Sequence, residues 1–268
     1  MNAGKTYLFI DLDGTVMVNP FGKQVFPRIF GMLSQACGIA PETLLREAVK
    51  ENERRQHHSA PPSAAWIMDW DHIIQEIAGR YGVTEGIIPS DMCVQLARQY
   101  AAPPHTSTLD EAVTHLCRLE APHRTLSVST MGLSKYQRPV LDALGLSPCF
   151  DHILTPDLTG FQKTERGFFQ DLVDAAPPDS IFISVGDNFM HDVYYPKQFG
   201  FYSVLRLPEP TLNPLDPFDR SVHIAAYRER IQYYPDDTKG VLPDAVITHL
   251  SQLPEVVFRI EEQRDRPA

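Results

Sequence analysis

The chain has no run of about 18 apolar residues, the length a membrane-crossing helix needs, so no membrane span is expected. Its opening residues, Met1-Asn2-Ala3-Gly4-Lys5, contain no apolar signal segment and run directly into a β-prone stretch. Cysteine is scarce: four in 268 residues. Cys37, Cys93, Cys117 and Cys149 lie far apart without paired metal-ligand spacing, which argues against a zinc cluster or a disulfide framework. They read as reduced, mostly buried thiols of a cytosolic protein, so a cytoplasmic location is expected. Positive charge is also short, with 24 Lys and Arg against 34 Asp and Glu and a net charge of −10. That balance argues against a nucleic-acid or membrane-surface partner, although a local basic pocket stays open. No internal repeat and no low-complexity tract occurs. What remains is an ordinary soluble composition, 43% hydrophobic and 22% charged, long enough for one large domain or one domain with an insert.

Within this plain background, Phe9-Ile10-Asp11-Leu12-Asp13-Gly14-Thr15 stands out. Tyr7 to Ile10 has the pattern of a buried strand. It ends in two carboxylates two residues apart, and positions i and i+2 of a strand share a side. Asp11 and Asp13 therefore leave the sheet together, and Gly14 lets the chain turn away. Two anions that close both stay ionised only if a cation sits between them or one takes a proton. The stretch is thus a metal site, a nucleophile beside a general acid, or a solvated strand-to-loop turn, where Asp and Gly are common.

From Val16 to about Thr108 the periodicity is helical. Phe26, Ile29, Phe30 and Leu33 recur at helix spacing, Pro41-Glu42-Thr43 starts a helix from Leu44 to about Arg55, and further helices are expected over 71–81 and 90–100, the last with Ser90 as N-cap. Val18-Asn19-Pro20 and Ala102-Pro103-Pro104 suit hinges at either end. From Thr108 strands and helices alternate: a helix through Leu109, Ala112, Val113, Leu116 and Leu119; strands over 125–130, 152–155, 180–185 and 201–205; helices over 135–144, 165–175 and 193–199. This alternation predicts a parallel α/β sheet, doubly wound and Rossmann-like, with ligands at the carboxyl ends of its strands. Asp11, Thr130 and Asp187 fall at such ends and Lys163 in a following loop. The Pro- and Tyr-rich stretch 207–242 reads as a long surface excursion with one helix around Ile224 to Ile231. It suits a dimer contact, a pocket wall or, more simply, a loop packed on its own domain.

The Asp11-Leu12-Asp13-Gly14-Thr15 stretch resembles the signature of the haloacid dehalogenase-like (HAD) hydrolases, and three further matches follow in order. Val128-Ser129-Thr130-Met131 ahead of Gly132-Leu133-Ser134-Lys135-Tyr136-Gln137 resembles the second motif, although Met131 stands where Asn is usual and Ser129 leaves the register open by one. Phe161-Gln162-Lys163-Thr164-Glu165 resembles the third, with Thr164 in place of the usual Pro. Val185-Gly186-Asp187-Asn188-Phe189-Met190-His191-Asp192 resembles the fourth. The resemblance covers nearly the whole chain. It implies an α/β core over 1–18 and 104–268 and a helical cap domain over 19–103. It also implies a Mg²⁺-dependent phosphatase acting on a small phosphorylated metabolite. Asp11 would attack phosphorus and Asp13 would act as general acid and base. Thr130 would hydrogen-bond the phosphoryl group and Lys163 would neutralise it. Asp11, Asp187 and the backbone carbonyl of Asp13 would hold the metal, with Asp192 supporting its shell indirectly.

Alternatives accompany these readings. Thr130 could be a plain strand residue, Lys163 a solvated loop charge, Asp187 a turn residue and Asp192 a helix cap. In the helical segment, Arg54, Arg55, His57 and His58 are followed by Trp66, Met68 and Trp70. The aromatics could pack on a leaving group while the cations meet a second anion. The alternative is a solvated helix end beside a packed cap core, and Lys23 and Arg28 face the same choice. Asp13 argues against a dehalogenase, which needs no acid at that position, and Lys23 is weak support for a phosphonate hydrolase. A phosphosugar mutase and a non-catalytic binding protein on the same scaffold remain as competing functions, and the oligomeric state is open.

Overall fold

The computed structural model describes residues 4–58, 61–224 and 240–264, together with Tyr227 and Thr238. The strands are β1 (Thr6–Ile10), β2 (Met17–Val18), β3 (Ser107–Thr108), β4 (Arg124–Ser129), β5 (His152–Leu154), β6 (Ile181–Gly186), β7 (Tyr202–Arg206) and β8 (Ala245–Ile247). Six of them form one sheet in the order β5-β4-β1-β6-β7-β8, with every neighbouring pair parallel. Helices cover both faces, so this is the doubly wound α/β fold expected from the alternation. The chain winds outward from β1 in both directions. The carboxyl end of β1, flanked by β4 and β6, is therefore the switch point where such sheets open a crevice.

The period of two along β1 divides its side chains between two layers. Leu8, Ile10 and Leu12 join a core with Val128, Val185, Val204 and Ile260. Tyr7 and Phe9 point the other way, into a cluster with Phe168, Phe169 and Phe201. Phe9 is fully buried there, edge-on to Phe169 with ring centroids 4.8 Å apart and stacked on Phe201 at 5.6 Å. Both faces of the strand are thus apolar, which is why Tyr7 to Ile10 reads as a continuous hydrophobic run rather than an alternating one.

Between β2 and β3, which pair antiparallel, the described residues form a wide turn over Phe21–Val25 and five α-helices: α1 (Phe26–Cys37), α2 (Pro41–Gln56), α3 (Ala64–Ile67), α4 (Trp70–Arg80) and α5 (Met92–Gln99). Their apolar faces form a separate cluster that includes Ile29, Phe30, Leu44, Ile74 and Cys93, and it accepts Leu133 and Tyr136 from the sheet's side. After β3 come α6 (Ala112–Cys117), α7 (Ser134–Ala143), α8 (Pro156–Thr159), α9 (Gln170–Ala175), α10 (Tyr195–Gln198) and the C-terminal helix Leu253–Arg264.

Several boundaries differ from expectation, for local reasons. α6 starts three residues late because Asp110 and Glu111 sit at φ of 49° and 53°. Asp110 is held out of the helix by Arg206 and by the Leu250 amide, both donating to its carboxylate. The helix expected over 193–199 begins earlier, as a wide turn over Phe189–Tyr194, because the Asn188 side chain accepts from the Met190 and His191 amides and starts it there. α5 starts at Met92 rather than Ser90. The helix expected around Ile224 to Ile231 lies outside the described residues except for Ile224 and Tyr227. The described part of 207–242 packs on the core: Arg220 is buried and donates to the carbonyls of Leu212, Leu215 and Val246. No helix among the described residues is long and apolar enough to cross a membrane.

The two-sided burial of β1 sets a stability expectation. Phe9→Ala removes an aromatic ring from the centre of a closed cluster, a change that typically costs about 3–5 kcal/mol. A urea-unfolding midpoint should fall accordingly, and a loss below about 1 kcal/mol would show that the cluster collapses around the gap.

Candidate active site

The floor of the crevice is built by strand ends. Asp11 follows β1 directly and its amide donates to the Val185 carbonyl of β6 at 2.8 Å. Leu12 turns into the core, so Asp13 rejoins Asp11 on the open side, and both line a cavity of about 390 Å³ with Thr130, Asp187 and Asp192. Gly14 turns the chain at φ 74°. A Cβ built there would overlap the Asp187 carboxylate, and one at Gly186 would overlap Asp192. Gly14 combines a close approach with the turn and Gly186, at the end of β6, a close approach alone, and a side chain at either would push the carboxylates apart.

Lys163, one residue before the change of Pro to Thr, reaches from its loop to the floor and is 1% exposed. Its Nζ donates to Asp11 Oδ1 at 3.0 Å and to the Ser129 carbonyl at 2.6 Å, and forms an ion pair with Asp192 Oδ1 at 2.6 Å. Burial opposes its charge, but Asp11 and Asp192 outweigh that and raise its pKa. Asp192 is fully buried, and its other oxygen accepts from the Asn188 amide at 2.9 Å.

Asp11, Asp187 and Asp192 can place one oxygen each within 4.8 Å of one another. Three carboxylates around one ammonium carry excess negative charge. Burial pushes the Asp11 carboxyl well above the usual range; Lys163 opposes this, and Asp192, Asp187 and Asp13 add to it. Burial and Asp192 likewise lift Asp187 to about 6. A set of hard oxygen donors with unbalanced charge suits Mg²⁺, so the residues present fit that ion. Asp192, for which an indirect role is expected, places a carboxylate oxygen within this group while contacting Lys163 and the Asn188 amide.

Asp13 is set apart from this group. Burial raises its carboxyl above the usual range, partly offset by the Asn19 amide and by Gln137, whose Nε2 donates to Asp13 Oδ2 at 3.1 Å. Thr130 lies just beyond β4 on the cavity wall, its Oγ1 accepting from the Gly132 amide at 3.2 Å. Ser129 is buried below the wall and offers its carbonyl to Lys163, so at the open register it is Thr130 that faces the cavity. His191 also lines the cavity; burial, then Lys163, lower its pKa to about 4, leaving the ring neutral.

The roof comes from the helical segment. Met68 and Trp70 line the cavity, together with Phe21 and Phe26. The cations do not. Arg55 is fully buried, paired with Glu51 and Glu76 and stacked on Trp66 at 4.4 Å. Arg54 pairs with Glu51, and Lys23 and Arg28 are exposed. Sequence reasoning missed Asn19, Gln137, His191, Phe21 and Phe26. Gln137 closes the stretch that resembles the second motif, the only signal that pointed near it.

A family model described as haloacid dehalogenase-like hydrolase matches residues 6–200. The human haloacid dehalogenase-like hydrolase domain-containing protein 3 is 25% identical over 195 residues, covering 68% of this chain and 75% of that protein. Among solved structures, a HAD phosphatase from Thermococcus onnurineus superposes with a TM-score of 0.64 at 21% identity, covering 94% of this chain and 97% of that one. A magnesium-bound HAD hydrolase from Bacillus subtilis gives 0.61 at 16%, covering 95% and 99%. An L-2-haloacid dehalogenase from Xanthobacter autotrophicus gives 0.57 at 17%, covering 96% and 99%.

The charge imbalance predicts an unusual stability response. A group whose folded pKa is raised binds its proton more tightly when folded, so it costs stability above its unfolded pKa, and the cost grows until the folded pKa is passed. In metal-free buffer with EDTA at pH 8, Asp11→Asn should therefore raise Tm by about 2–4 °C, the shift roughly 1 kcal/mol produces in a chain of this size. The gain should shrink towards pH 4. Lys163→Ala, which strands the buried carboxylates, should instead cost about 3–5 kcal/mol. Thermal unfolding of both variants decides it, and an Asp11→Asn protein less stable than wild type at pH 8 would contradict the reading.

Proposed function

The chain belongs to the haloacid dehalogenase-like hydrolases, and we propose that within that family it is a Mg²⁺-dependent phosphatase that hydrolyses a small phosphomonoester through an aspartyl-phosphate on Asp11. The observation that carries this is Asp13. A buried carboxyl with a raised pKa, held by Gln137 beside Asp11, is what departure of an alcohol requires and what expulsion of a halide does not.

In the first step an Asp11 carboxylate oxygen attacks phosphorus. The new bond is Asp11 oxygen to phosphorus, the bond that breaks joins phosphorus to the ester oxygen, and Asp13 gives its proton to that oxygen. In the second step Asp13 takes a proton from water as the water attacks phosphorus, releasing phosphate and restoring Asp11. Lys163 offsets negative charge on Asp11 and the phosphoryl oxygens, and the Thr130 hydroxyl donates to one of them. Asp11, Asp187 and the Asp13 backbone carbonyl would hold Mg²⁺, with Asp192 beside them. When bound, the ion supplies positive charge where a carboxylate and a phosphate would otherwise repel each other. We further propose that residues 19–103 are a cap over a core formed by 1–18 and 104–268. This follows from the separate apolar cluster of α1 to α5 and from β2 and β3 pairing at its base.

Phosphate release from para-nitrophenyl phosphate should require Mg²⁺, stop with EDTA and fall by several orders of magnitude in Asp11→Asn. Asp13→Asn separates the roles of the two carboxylates. In single-turnover release of the leaving group it should slow an alkyl phosphate by about 10²–10⁴ and para-nitrophenyl phosphate far less, since nitrophenolate leaves without a proton. Equal slowing of both substrates would remove Asp13 from the leaving-group role, and undiminished turnover after exhaustive chelation would remove the metal.

A further inference from the structure

The cavity has two unlike halves. Its floor is anionic and polar. Its roof is a connected set of rings: Phe26 stands edge-on to Trp70 with centroids 4.8 Å apart and to Phe21 at 5.4 Å, and Phe21 stands edge-on to Tyr136 at 5.2 Å. Met68 and Met131 complete the apolar lining.

No Lys or Arg is among the described residues that line this cavity. Nearby cations among the described residues are committed elsewhere. Lys135 pairs with Asp69 at 2.8 Å and Asp71 at 3.2 Å, and the Arg54 and Arg55 charges are matched by Glu51 and Glu76. Apart from the His191 ring, the following polar groups on the wall are engaged too. The Tyr136 hydroxyl lies 3.1 Å from both Asp69 and Asp71 carboxylates and accepts from the Asp71 amide at 3.0 Å, so it shows the cavity only its ring. Gln137 donates to Asp13. Asn188 Oδ1 accepts from two amides of the turn that follows it, and Asn19 Oδ1 accepts from the Phe21 amide at 2.9 Å. Among the described residues a second anion on the substrate would meet no counter-charge, and a polyol would give up hydration for few partners. An apolar or aromatic group would meet the ring surfaces directly.

Resting on the phosphatase reading, we propose that the substrate is the phosphate monoester of an alcohol bearing an apolar, ring-containing group close to the ester, with no second charge. The Phe21, Phe26, Trp70 and Tyr136 rings receive that group while the phosphate sits over Asp11. Sugar phosphates and bisphosphates are selected against by the same wall.

The test compares three primary alkyl phosphates, so that leaving-group chemistry is alike: phenethyl phosphate, glycerol phosphate, and phosphoglyceric acid esterified at its primary hydroxyl. With the full chain and Mg²⁺, kcat/KM should fall in that order, the first exceeding the second by about tenfold to a hundredfold, the range set by burying one apolar ring. Trp70→Ala should shrink the ratio between the first two, and a merely structural loss would leave the ratio unchanged. Phe21→Arg, placing a cation on the wall, should raise phosphoglyceric ester turnover relative to glycerol phosphate. Phosphate release that is equal across the panel, or greater from either polar ester, overturns this inference while the phosphatase reading stands. No release from any of the three overturns that reading and this inference with it.

Discussion

A single buried ammonium holds this site together. Lys163 sits between Asp11 and Asp192 at 3.0 and 2.6 Å, fixed by the Ser129 carbonyl, where neither it nor Asp192 reaches solvent. Transferring such charges from water is expensive unless they neutralise one another. Here neutralisation is incomplete, since Asp187 joins the same group. The fold therefore carries a concentrated negative charge at the switch point of its sheet. The arrangement survives because three strand ends and a loop converge there and because Gly14 and Gly186 leave room that a Cβ would occupy.

The second constraint is the seam between the helical segment and the sheet. Lys135 and Tyr136, on the first turn of α7, bind Asp69 and Asp71 at the start of α4. Burial, then the neighbouring Asp71, drive the Tyr136 phenol far from ionisation. Gln162 adds a bond to the Ala64 carbonyl at 2.6 Å. These polar contacts set the aromatic roof at a fixed height over the carboxylates. On the proposed reading, the chemistry belongs to the strand ends and the choice of leaving group to the roof.

How much of this could be read from residues alone follows from the range of each interaction. Asp11 and Asp13 share a side because a strand alternates, a local rule that held up to the turn at Gly14. The α/β winding was legible from alternating periods, whereas the order of the strands came only from the structure. Lys163 carried no local signal and stood out only through its resemblance to the third motif. Its burial between two carboxylates is a tertiary fact. Asn19 and Gln137 reach Asp13 from opposite sides of the insert, and nothing in spacing ties them to it. Arg54 and Arg55 looked like a free cationic group because their partners, Glu51 one turn before and Glu76 on another helix, are settled by packing. The late start of α6 and the wide turn at Phe189–Tyr194 depend on Asp110 and Asn188, side chains that compete with helix hydrogen bonds.

The central claim is that Asp11 becomes covalently phosphorylated, and the most direct measurement looks for that bond. The Asp13→Asn protein, which lacks the base for the second step, is mixed with para-nitrophenyl phosphate and Mg²⁺, quenched in acid and digested, and the fragments are analysed by mass spectrometry. The account predicts a phosphoryl group on the fragment containing Asp11, absent when Asp11 is also changed to Asn. Phosphate release without any phosphoryl adduct on Asp11, or an adduct on another residue, would contradict it.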